Sequence, residues 1–471
     1  MSYVLRPYQV DAVEAGVRFF LDKAARYNAL MMLPTGSGKS LCIAGIAQRL
    51  DGPVLVFQPS KEILEQNLAK YQSYGNRAAV YSASFNSRDI GHVTFATIGS
   101  VKNKADLFRA FRYVIIDEAH GVNAKNEDGM YTRFLRELGD VKCLGLTASP
   151  YRLVTDGFGG SILKFLTRTR PRVFKELIYY VQNGDLFRDG YLAKLKYTDA
   201  SAGFDRGQLK LNSTGADYDD DSVARYYAKS GFMDRVAAAT RRAMTERKNV
   251  LIFTRFVEDG ERLMTMVHGV EMVTAKSTKR EREAVVGHFR LGITKAVVNC
   301  GVLVHGFDYP ELETVIIAAP TMSLARYYQE IGRCIRPHPE KDHAEVIDLC
   351  GNYSMFGRVE DLELVDGGRG MWAIHSNGRQ LTNVYYGERR PVAGGHGGGA
   401  TSVVSGTIEH ETEKAYLLRH ADGRELWWPK SKLEVMVHNG RTITAKIPKW
   451  LAIDKGMMER PPQLLFSEAR P

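Results

Sequence analysis

Short apolar segments alternate with polar, helix-forming stretches along residues 1–150. Each segment is a nearly continuous apolar run, the pattern of a strand that is buried on both faces of a parallel sheet. The predicted strands are 29–33 (ALMML), 54–58 (VLVFQ), 92–97 (HVTFAT), 113–117 (YVIID) and 143–148 (CLGLTA). Each run ends where polar residues begin, and this edge is where open α/β sheets place their chemistry. The pattern therefore predicts a parallel sheet covered by helices, with functional side chains at the carboxyl ends of its strands.

The same pattern returns in the second half of the chain. Its predicted strands are 249–254 (NVLIFT), 271–275 (EMVTA), 295–300 (KAVVNC), 314–320 (TVIIAAP) and 344–349 (AEVIDL). An α/β protein with two similar lobes in tandem is therefore expected, with lobe 1 over residues 1–165 and lobe 2 over residues 246–360. Residues 166–245 contain one basic and one acidic run, and such runs are most often solvated surface. They are interpreted as a connecting segment that leads into lobe 2.

The composition of the chain changes after about residue 366. Residues 366–370 (DGGRG) and 392–400 (VAGGHGGGA) are glycine-rich, which is typical of a flexible linker, so residues 361–400 are assigned to one. Residues 401–471 contain short alternating stretches separated by Asp-Gly and Asn-Gly pairs, the signal of tight hairpin turns. They predict a small C-terminal β domain, which is a candidate DNA-binding accessory.

The composition narrows the class of protein. The chain has 471 residues, 44% hydrophobic and 25% charged, which excludes a mainly disordered protein. Its formal net charge of +10 gives weight to an anionic partner, nucleic acid above all. The five cysteines form no C-x-x-C pair, which argues against a disulfide framework and a zinc ribbon. The sequence has neither an apolar run of membrane-spanning length nor a signal-peptide pattern, so a cytoplasmic protein without membrane contact is expected.

The stretch 31–40, MMLPTGSGKS, is similar to a phosphate-binding loop, except that Leu33 replaces the glycine that usually opens the pattern. It follows a predicted buried strand and precedes a predicted helix. Backbone N–H groups and the helix N-terminus can therefore surround a polyphosphate. Lys39 would reach the β and γ phosphates, and Ser40 would bind Mg²⁺.

Two further clusters carry charge. A predicted strand delivers Asp117 and Glu118 to its carboxyl end, where one carboxylate suits a Mg²⁺ ligand and its neighbour suits the polarisation of water. In lobe 2, residues 329–337 (QEIGRCIRP) carry Arg333 and Arg336. Arginines three residues apart share one face of a helix, so both can point at one anion. Together with the phosphate loop, they are candidate arginine fingers that close on a γ-phosphate across a cleft.

In this order, the motifs resemble those of a superfamily 2 helicase of the DEAH-box type, over roughly residues 1–355. The matching stretches are RPYQ (6–9, Q motif), PTGSGKS (34–40, motif I), PSKEILEQ (59–66, motif Ia), DEAH (117–120, motif II), TAS (147–149, motif III), FTRFVEDGERL (253–263, motif IV), NCGVLVHGFDYP (299–310, motif V) and QEIGRCIR (329–336, motif VI). A large residue at the position of Leu33 is within the range of this superfamily. The subfamily that the chain resembles most is the bacterial RadD-type DNA-repair ATPases. It departs from them in lacking their cysteine-rich zinc element and in carrying His305 where a small or hydroxyl residue is usual.

The resemblance implies two RecA-like parallel-sheet lobes, with ATP and Mg²⁺ between them and a nucleic-acid strand lying across both. Gln9 is the implied adenine reader. The residues implied to bind the nucleotide are Arg6, Gln9, Pro34, Thr35, Gly36, Ser37, Gly38, Lys39, Ser40, Gly306 and Asp308. The implied catalytic residues are Lys39, Asp117, Glu118, Gln329, Arg333 and Arg336, with Ser40 and Asp117 as metal ligands. The implied coupling residues are His120, Thr147 and Ser149, and the implied contacts to nucleic-acid phosphates are Ser60, Thr97, Thr254, Arg255 and Asn299.

The small β domain contributes a further candidate contact, because Trp427, Trp428, Lys430 and Lys432 lie together in ELWWPKSK. Successive side chains of a strand face opposite ways, so one tryptophan should fill the domain core while the other is exposed. Trp428 and Lys430 are the candidate pair for stacking on a base or wedging a duplex fork. The alternative is a tryptophan half-buried against lobe 2 beside ordinary surface lysines.

The expected function is an ATP-dependent DNA helicase or translocase in repair, recombination or remodelling of forked and branched DNA. Single-stranded or branched DNA is favoured over plain duplex, and repair or recombination proteins are candidate partners. One alternative is an ATP-gated, DNA-binding recombination accessory that remodels a protein without unwinding. Another is the motor subunit of a restriction system, although no acidic-x-Lys nuclease pattern follows residue 356. RNA is also compatible with these motifs.

Overall fold

The computed structural model describes residues 3–122, 129–155, 161–169, 171–213, 217–301, 309–368, 370–384, 401–413, 415–430, 433–448, 452, 455 and 457. The chain divides into two compact units, residues 1–385 and 386–471. The first unit holds two lobes, each built on a mainly parallel sheet, and the second holds an antiparallel β domain. The predicted fold class is thus confirmed.

Lobe 1 is organised around a twisted sheet whose strands follow the apolar runs. Its strands are β1 (Ala29–Met32), β2 (Val54–Gln58), β3 (Ala79–Ser82), β4 (Ser87–Arg88), β5 (Val93–Thr97), β6 (Tyr113–Asp117), β7 (Lys142–Thr147), β8 (Tyr151–Thr155), β9 (Ser161–Phe165) and β10 (Glu176–Tyr180). The main sheet has the order β10-β1-β7-β6-β2-β5-β3-β4 and is parallel except between β3 and β4, while β8 and β9 form an antiparallel hairpin. Strands β1, β2 and β6 are buried at every position, because helices cover both faces of the sheet.

The helices of lobe 1 pack an apolar stripe against this sheet. They are α1 (Pro7–Leu21), α2 (Lys39–Arg49), α3 (Lys61–Ser73), α4 (Ile98–Val101) and α5 (Met130–Leu138), while α6 (Asn183–Arg188) lies in the segment between the two sheets. In α1, for example, Val13, Val17 and Phe20 recur at helical spacing and are buried. In the described part of the chain, no helix is both long and apolar enough to cross a bilayer.

Lobe 2 repeats the arrangement with a parallel sheet of order β11-β16-β15-β12-β14-β13. Its strands are β11 (Leu195–Asp199), β12 (Val250–Thr254), β13 (Val270–Thr274), β14 (Ala296–Cys300), β15 (Thr314–Ala318) and β16 (Ala344–Asp348). Its helices are α7 (Asp220–Ser230), α8 (Phe232–Glu246), α9 (Val257–Met266), α10 (Lys279–Arg290), α11 (Leu324–Ile331) and α12 (Asn352–Phe356).

The expected connecting segment, residues 166–245, is largely part of the two lobes. It supplies β10 to the edge of the first sheet and β11 to the edge of the second, and α7 and α8 pack on lobe 2. Both strands are only half-buried, because an edge strand is covered less than a central one. The residues that pass from one sheet to the other are 181–194.

The expected linker, residues 361–400, also begins with regular structure. The strands β17 (Leu362–Asp366), β18 (Trp372–Ser376) and β19 (Arg379–Gln380) form an antiparallel sheet in the first unit. Beyond it, the Asn383 N–H donates to the Leu163 carbonyl, and the Asn383 side-chain oxygen accepts from the Phe165 N–H at 3.0 Å. A linker over the whole range is therefore wrong, because the described residues up to 384 fold back onto β9.

The second unit is a small antiparallel sheet of order β22-β21-β20-β24-β23. Its strands are β20 (Thr401–Glu411), β21 (Ala415–Arg419), β22 (Glu425–Pro429), β23 (Glu434–His438) and β24 (Thr442–Pro448). One face carries the core, formed by Val404, Leu418, Trp428, Ile443, Ile447 and Ala452.

Candidate functional site

The loop between β1 and α2 has the backbone of an anion-binding loop. Gly36 and Gly38 both have φ of 79°, in the left-handed region that glycine adopts without a steric penalty. Gly38 is the N-cap of α2, so the first N–H groups of that helix face the loop. Lys39 and Ser40 are the first two residues of the helix and are partly exposed. The loop therefore has the turn and the helix start that phosphate binding requires.

Gln9, the implied adenine reader, braces this loop from α1. It is 2% exposed, accepts the Arg6 N–H at 2.8 Å and donates to the Ser37 carbonyl at 2.7 Å. A Cβ atom added to Gly38 would lie 2.4 Å from Gln9 Nε2, so this close approach requires glycine. The Arg6 guanidinium lies 4.5 Å from the centre of the Tyr191 ring. Adenine recognition by Gln9 and Arg6 stays a prediction.

Lys39 meets both carboxylates that β6 delivers. Its Nζ lies 2.5 Å from Glu118 Oε1 and 3.8 Å from Asp117 Oδ1. Glu118 has φ of 50°, a left-handed turn that directs the chain away at the end of the strand. Asp117 is 3% exposed, and its oxygen is the type of ligand that Mg²⁺ prefers, as is the hydroxyl of Ser40. The residues present thus fit a magnesium ion on the phosphate side of the sheet.

The charges of this cluster depend on one another. Burial acts to lower the pKa of Lys39, but Glu118 and Asp117 outweigh it and raise that pKa. Burial acts to raise the pKa of Glu118, but the charges of Lys39 and His120 hold it well below its usual range. Burial raises the pKa of Asp117, and Lys39 offsets this only in part. Lys39 therefore keeps Glu118 a weak base as long as the two are paired.

A polar chain leads from Glu118 to lobe 2 through the predicted coupling residues. His120 Nδ1 lies 3.2 Å from Glu118 Oε2 and 3.0 Å from Thr147 Oγ1. The Thr147 hydroxyl also accepts the Ser149 N–H at 3.0 Å. On its other side, His120 Nε2 lies 3.4 Å from Gln329 Nε2 of lobe 2. The structure thus brings these five predicted residues into one network.

Arg333 and Arg336 do not share a helix face, so this basis for the finger prediction is wrong. Helix α11 ends at Ile331, and the N–H groups of Arg333 and Cys334 bond three residues back, which tightens and ends the last turn. At Gly332 the chain passes so close to the phosphate loop that an added Cβ would lie 2.5 Å from Thr35 Cγ2.

The turn still presents both arginines to lobe 1. Burial lowers the pKa of Arg333 to about 10, with the charge of Glu118 acting in the opposite direction. Burial also lowers the pKa of Arg336, whose charge, after burial, helps to lower the pKa of Lys70 in α3. Arg333 is therefore within electrostatic reach of the Lys39–Glu118 pair, and Arg336 of α3.

Two residues of the site were not predicted from the sequence. The Tyr328 hydroxyl accepts the Thr35 N–H at 3.1 Å and donates to Asn183 at 2.6 Å, which joins α11 to the phosphate loop. Asn67 donates from α3 to Asp117 at 2.9 Å. Each lies on an otherwise apolar helix face and is indistinguishable there from a core position. The available signals were the place of Tyr328 next to Gln329 and the polarity of Asn67.

The implied contacts to nucleic-acid phosphates differ in their exposure. Ser60 and Thr97 are partly exposed at helix starts that follow β2 and β5. Thr254 and Asn299 are 1% and 0% exposed, so neither presents its side chain to a ligand in this conformation. Arg255 is held inside lobe 2 by Asp220 at 2.7 Å and by two backbone carbonyls.

Trp428 is the core tryptophan of the small domain, so its assignment as a nucleic-acid contact is wrong. It is 0% exposed, and its Nε1–H donates to His420 Nε2 at 2.9 Å. The alternation of the strand leaves Trp427 on the opposite face, partly exposed against His410. Lys430 pairs with Glu411. The predicted Gly306 and Asp308, as well as Lys432, lie outside the described residues.

A loop of the phosphate-binding type and two carboxylates on one parallel-sheet lobe, with Arg333 of a second lobe in electrostatic reach, form the arrangement expected of a nucleotide site between two lobes. Comparison with known proteins makes the assignment more specific. Residues 2–152 match the family described as the res subunit of type III restriction enzymes, and residues 234–338 match the helicase conserved C-terminal domain. The two lobes are therefore those of a superfamily 2 helicase or translocase.

Two relatives of this chain have names that describe a helicase and a translocase. The putative ATP-dependent helicase IRC3 of Saccharomyces cerevisiae is 23% identical over 375 residues, which are 75% of this chain and 52% of the yeast protein. The DNA 3'-5' translocase XPB2 of Sulfurisphaera tokodaii is 23% identical over 366 residues, which are 70% of this chain and 78% of that protein. The chain thus spans about half the length of the yeast relative.

One solved structure shares the fold over most of the chain. It is a fragment of a putative HsdR subunit of a type I restriction enzyme from Vibrio vulnificus YJ016, with a TM-score of 0.55 and 18% identity. The match covers 81% of this chain and 70% of that fragment. At this identity the likeness concerns the fold alone.

Proposed function

We propose that this chain is an ATP-driven DNA translocase or helicase that acts on single-stranded, forked or branched DNA in repair, recombination or fork remodelling. The observation that carries the proposal is the Lys39–Glu118 pair of lobe 1, which lies within electrostatic reach of Arg333 from lobe 2. Binding of a polyphosphate would change the charge balance of this site, which lies where the two lobes meet.

In the proposed cycle, Lys39 leaves Glu118 and pairs with the phosphates of ATP. The phosphates of ATP compete with Glu118 for Lys39, as the lysine of a phosphate loop does in this class. Because Lys39 is a major cause of the low pKa of Glu118, its departure leaves the carboxylate a stronger base for the attacking water. Asp117 and Ser40 would hold Mg²⁺, which would offset phosphate charge when bound.

Residues of lobe 2 would respond to the same binding of ATP. Arg333, and Arg336 by its position in the motif, would bind the charge that develops on the γ-phosphate, while Gln329, 3.4 Å from His120, would couple this charge to lobe 1. The Tyr328 hydroxyl joins the phosphate loop to Asn183, in the segment between the sheets. Closure and release of these contacts would move the lobes along a strand in alternation.

Independent observations support DNA as the nucleic acid along which the chain would move. The formal net charge of +10 favours a polyanion, and one relative is named a DNA translocase. Contacts to phosphates rather than to bases suit a motor that must ignore sequence, and they make binding fall steeply with salt.

The ATPase rate of the purified chain with single-stranded DNA, duplex, forked DNA and RNA, measured in parallel, tests the proposal. We expect the largest stimulation by single-stranded or forked DNA, together with strand displacement on the fork. Strong DNA-stimulated hydrolysis without displacement favours a translocase or an ATP-gated accessory. Stimulation by RNA alone would overturn the assignment of DNA, and the absence of any nucleic-acid response would overturn the motor.

A restriction motor is the second candidate, favoured by the match of residues 2–152 to a restriction-enzyme subunit. Such a motor tracks along duplex and works with a nuclease and a site-recognition module. Displacement of a triplex-forming oligonucleotide from linear duplex separates the candidates. A repair helicase of the proposed kind displaces it poorly without a fork or gap, whereas a restriction motor clears it from plain duplex.

A further inference from the structure

A buried amide joins three elements beside the proposed magnesium site. Strands β2 and β6 are neighbours in the sheet and end at Gln58 and Asp117. Asn67 reaches both from α3, donating to Gln58 Oε1 at 2.8 Å and to Asp117 Oδ2 at 2.9 Å. Asn67 is 2% exposed and Gln58 is 0% exposed. The bond between Asn67 and Asp117 is therefore shielded from water.

The identity of residue 67 is not explained by packing. Asn67 lies on the buried face of α3 between Leu64 and Tyr71, at spacings where an apolar side chain would be the ordinary choice. Burying an amide is unfavourable unless its polar atoms find partners. Asn67 finds them with both protons of its amide, which a leucine of similar size could not supply.

The amide fixes the orientation of the Asp117 carboxylate. Oδ2 is turned towards Asn67, while Oδ1 accepts the Glu118 N–H at 2.9 Å and lies 3.8 Å from Lys39 Nζ. With Oδ2 held by the helix, Oδ1 is the oxygen on the side of the phosphate loop. Loss of the Asn67 bond would let the carboxylate rotate about its terminal torsion, which is intrinsically soft.

We propose that Asn67 is a positioning residue that orients Asp117 for magnesium, an inference that rests on the proposed ATPase function. Asn67 does not touch nucleotide or reacting atoms and acts only through Asp117. Partners of this kind, which hold a metal ligand in place, typically change metal affinity or activity by about 10–100-fold when they are removed.

The test compares Asn67→Leu with Gln58→Leu. Both variants remove one member of the same buried pair, but only Asn67→Leu breaks the bond to Asp117. In Gln58→Leu, the amide of Asn67 still donates to the carboxylate. If the role of Asn67 were to fasten α3 to β2, the two variants would be equally impaired. Asn67→Ala serves as a second, smaller variant if Asn67→Leu does not fold.

The readout is the affinity for a fluorescent ATP analogue with and without Mg²⁺, alongside the Mg²⁺ dependence of hydrolysis. In the Asn67 variants we expect unchanged affinity without Mg²⁺, loss of most of the gain that Mg²⁺ provides, and a half-saturating Mg²⁺ concentration raised by ~10-fold or more. Gln58→Leu should resemble the wild type. Equal effects of the two substitutions, or an unchanged Mg²⁺ dependence in the Asn67 variants, would overturn the inference. Failure of the wild type to bind the analogue in a Mg²⁺-dependent way would instead overturn the proposed function, and this inference with it.

Discussion

Lys39 and Glu118 share one partly exposed ion pair, so replacing either changes the other. Lys39→Ala should abolish ATP turnover, because it removes the charge that receives the phosphates and leaves Glu118 without its partner. A steady-state ATPase assay measures this, with thermal unfolding as the check on folding. Lys279→Ala, at a side chain that is 75% exposed, is the control and should behave as the wild type. Substantial turnover by Lys39→Ala would refute the phosphate-loop assignment.

Glu118→Gln should separate binding from hydrolysis. The amide keeps the shape of the side chain but neither neutralises Lys39 nor accepts a proton, so ATP should bind at least as tightly as in the wild type. Turnover should fall by ~10²–10⁴-fold, the usual contribution of a general base. Nucleotide affinity and single-turnover hydrolysis are the two measurements. A variant that hydrolyses at the normal rate would assign water activation to another group.

Arg333→Ala should lower turnover by ~10³-fold or more while changing ATP affinity much less, because an arginine finger acts mainly on the charge of the transition state. The measurement is kcat at saturating DNA, together with the affinity for ATP. Arg242→Ala, at a side chain that is 67% exposed, controls for loss of positive charge in lobe 2. A loss of ATP affinity that equals the loss of kcat would make Arg333 a binding residue instead.

Motif spacing predicted which side chains surround the phosphate loop, because it follows the chemistry of the loop itself. Lys39, Asp117 and Glu118 meet as expected. Trp428 was misassigned because alternation along a strand fixes that two neighbours face opposite ways but not which of them faces the core. That choice depends on which face of the sheet carries the apolar cluster, and Trp428 belongs to the cluster that includes Val404 of β20 and Ile443 of β24.

Lys341 connects the segment before β15 with the turn after α11 in lobe 2. It is 8% exposed, and its ammonium donates to the carbonyls of Pro310, Leu312 and Cys334 at 2.6, 3.1 and 3.0 Å. Cys334 belongs to the turn that carries the two arginines, so Lys341 also supports the candidate site from behind.

Lys341→Met should lower the free energy of unfolding by about 3 kcal/mol, because each buried acceptor left unsatisfied costs about 1–3 kcal/mol. Chemical denaturation of the purified chain measures this change. The control is Lys248→Met, at a side chain 65% exposed in a surface ion pair, which should stay within about 0.5 kcal/mol of the wild type. Equal effects at both positions would mean that the three carbonyls find other donors when Lys341 is lost.

Most central strands were predictable from the sequence, whereas the edge strands β10 and β11 were not. Strands such as 54–58 are continuous apolar runs because both their faces are covered. Strand β10 contains a single buried residue, Leu177, and β11 contains none, so neither sequence shows the continuous apolar run of a central strand. The end of α11 was also missed, since it depends on the approach of Gly332 to Thr35, a contact between residues almost three hundred positions apart.

The two units should be separable. A chain that ends at residue 398 retains the first unit and all the described motifs, so it should unfold cooperatively and keep its basal ATPase activity. We expect it to lose affinity for forked DNA or strand separation, which fork-binding and displacement assays measure. Trp427→Ala in the full chain tests whether the partly exposed indole accounts for the loss. If the shortened chain handles forks as well as the full one, the small domain is better explained as a protein-docking module.

In the described residues, lobe 2 is attached to lobe 1 on both sides. Residues 181–194 lead from β10 to β11, and residues 349–384 return to lobe 1, where Asn383 bonds to β9. Leu364 bonds to Gln182, which joins the second connection to the first. Two lobes that are joined at two places stay close to each other and have little freedom to separate. A cleft between the lobes can therefore open only as far as residues 181–194 and 349–384 allow. If the chain works as the proposed ATP-driven motor, these connections would also set an upper limit on the step that it takes for each ATP.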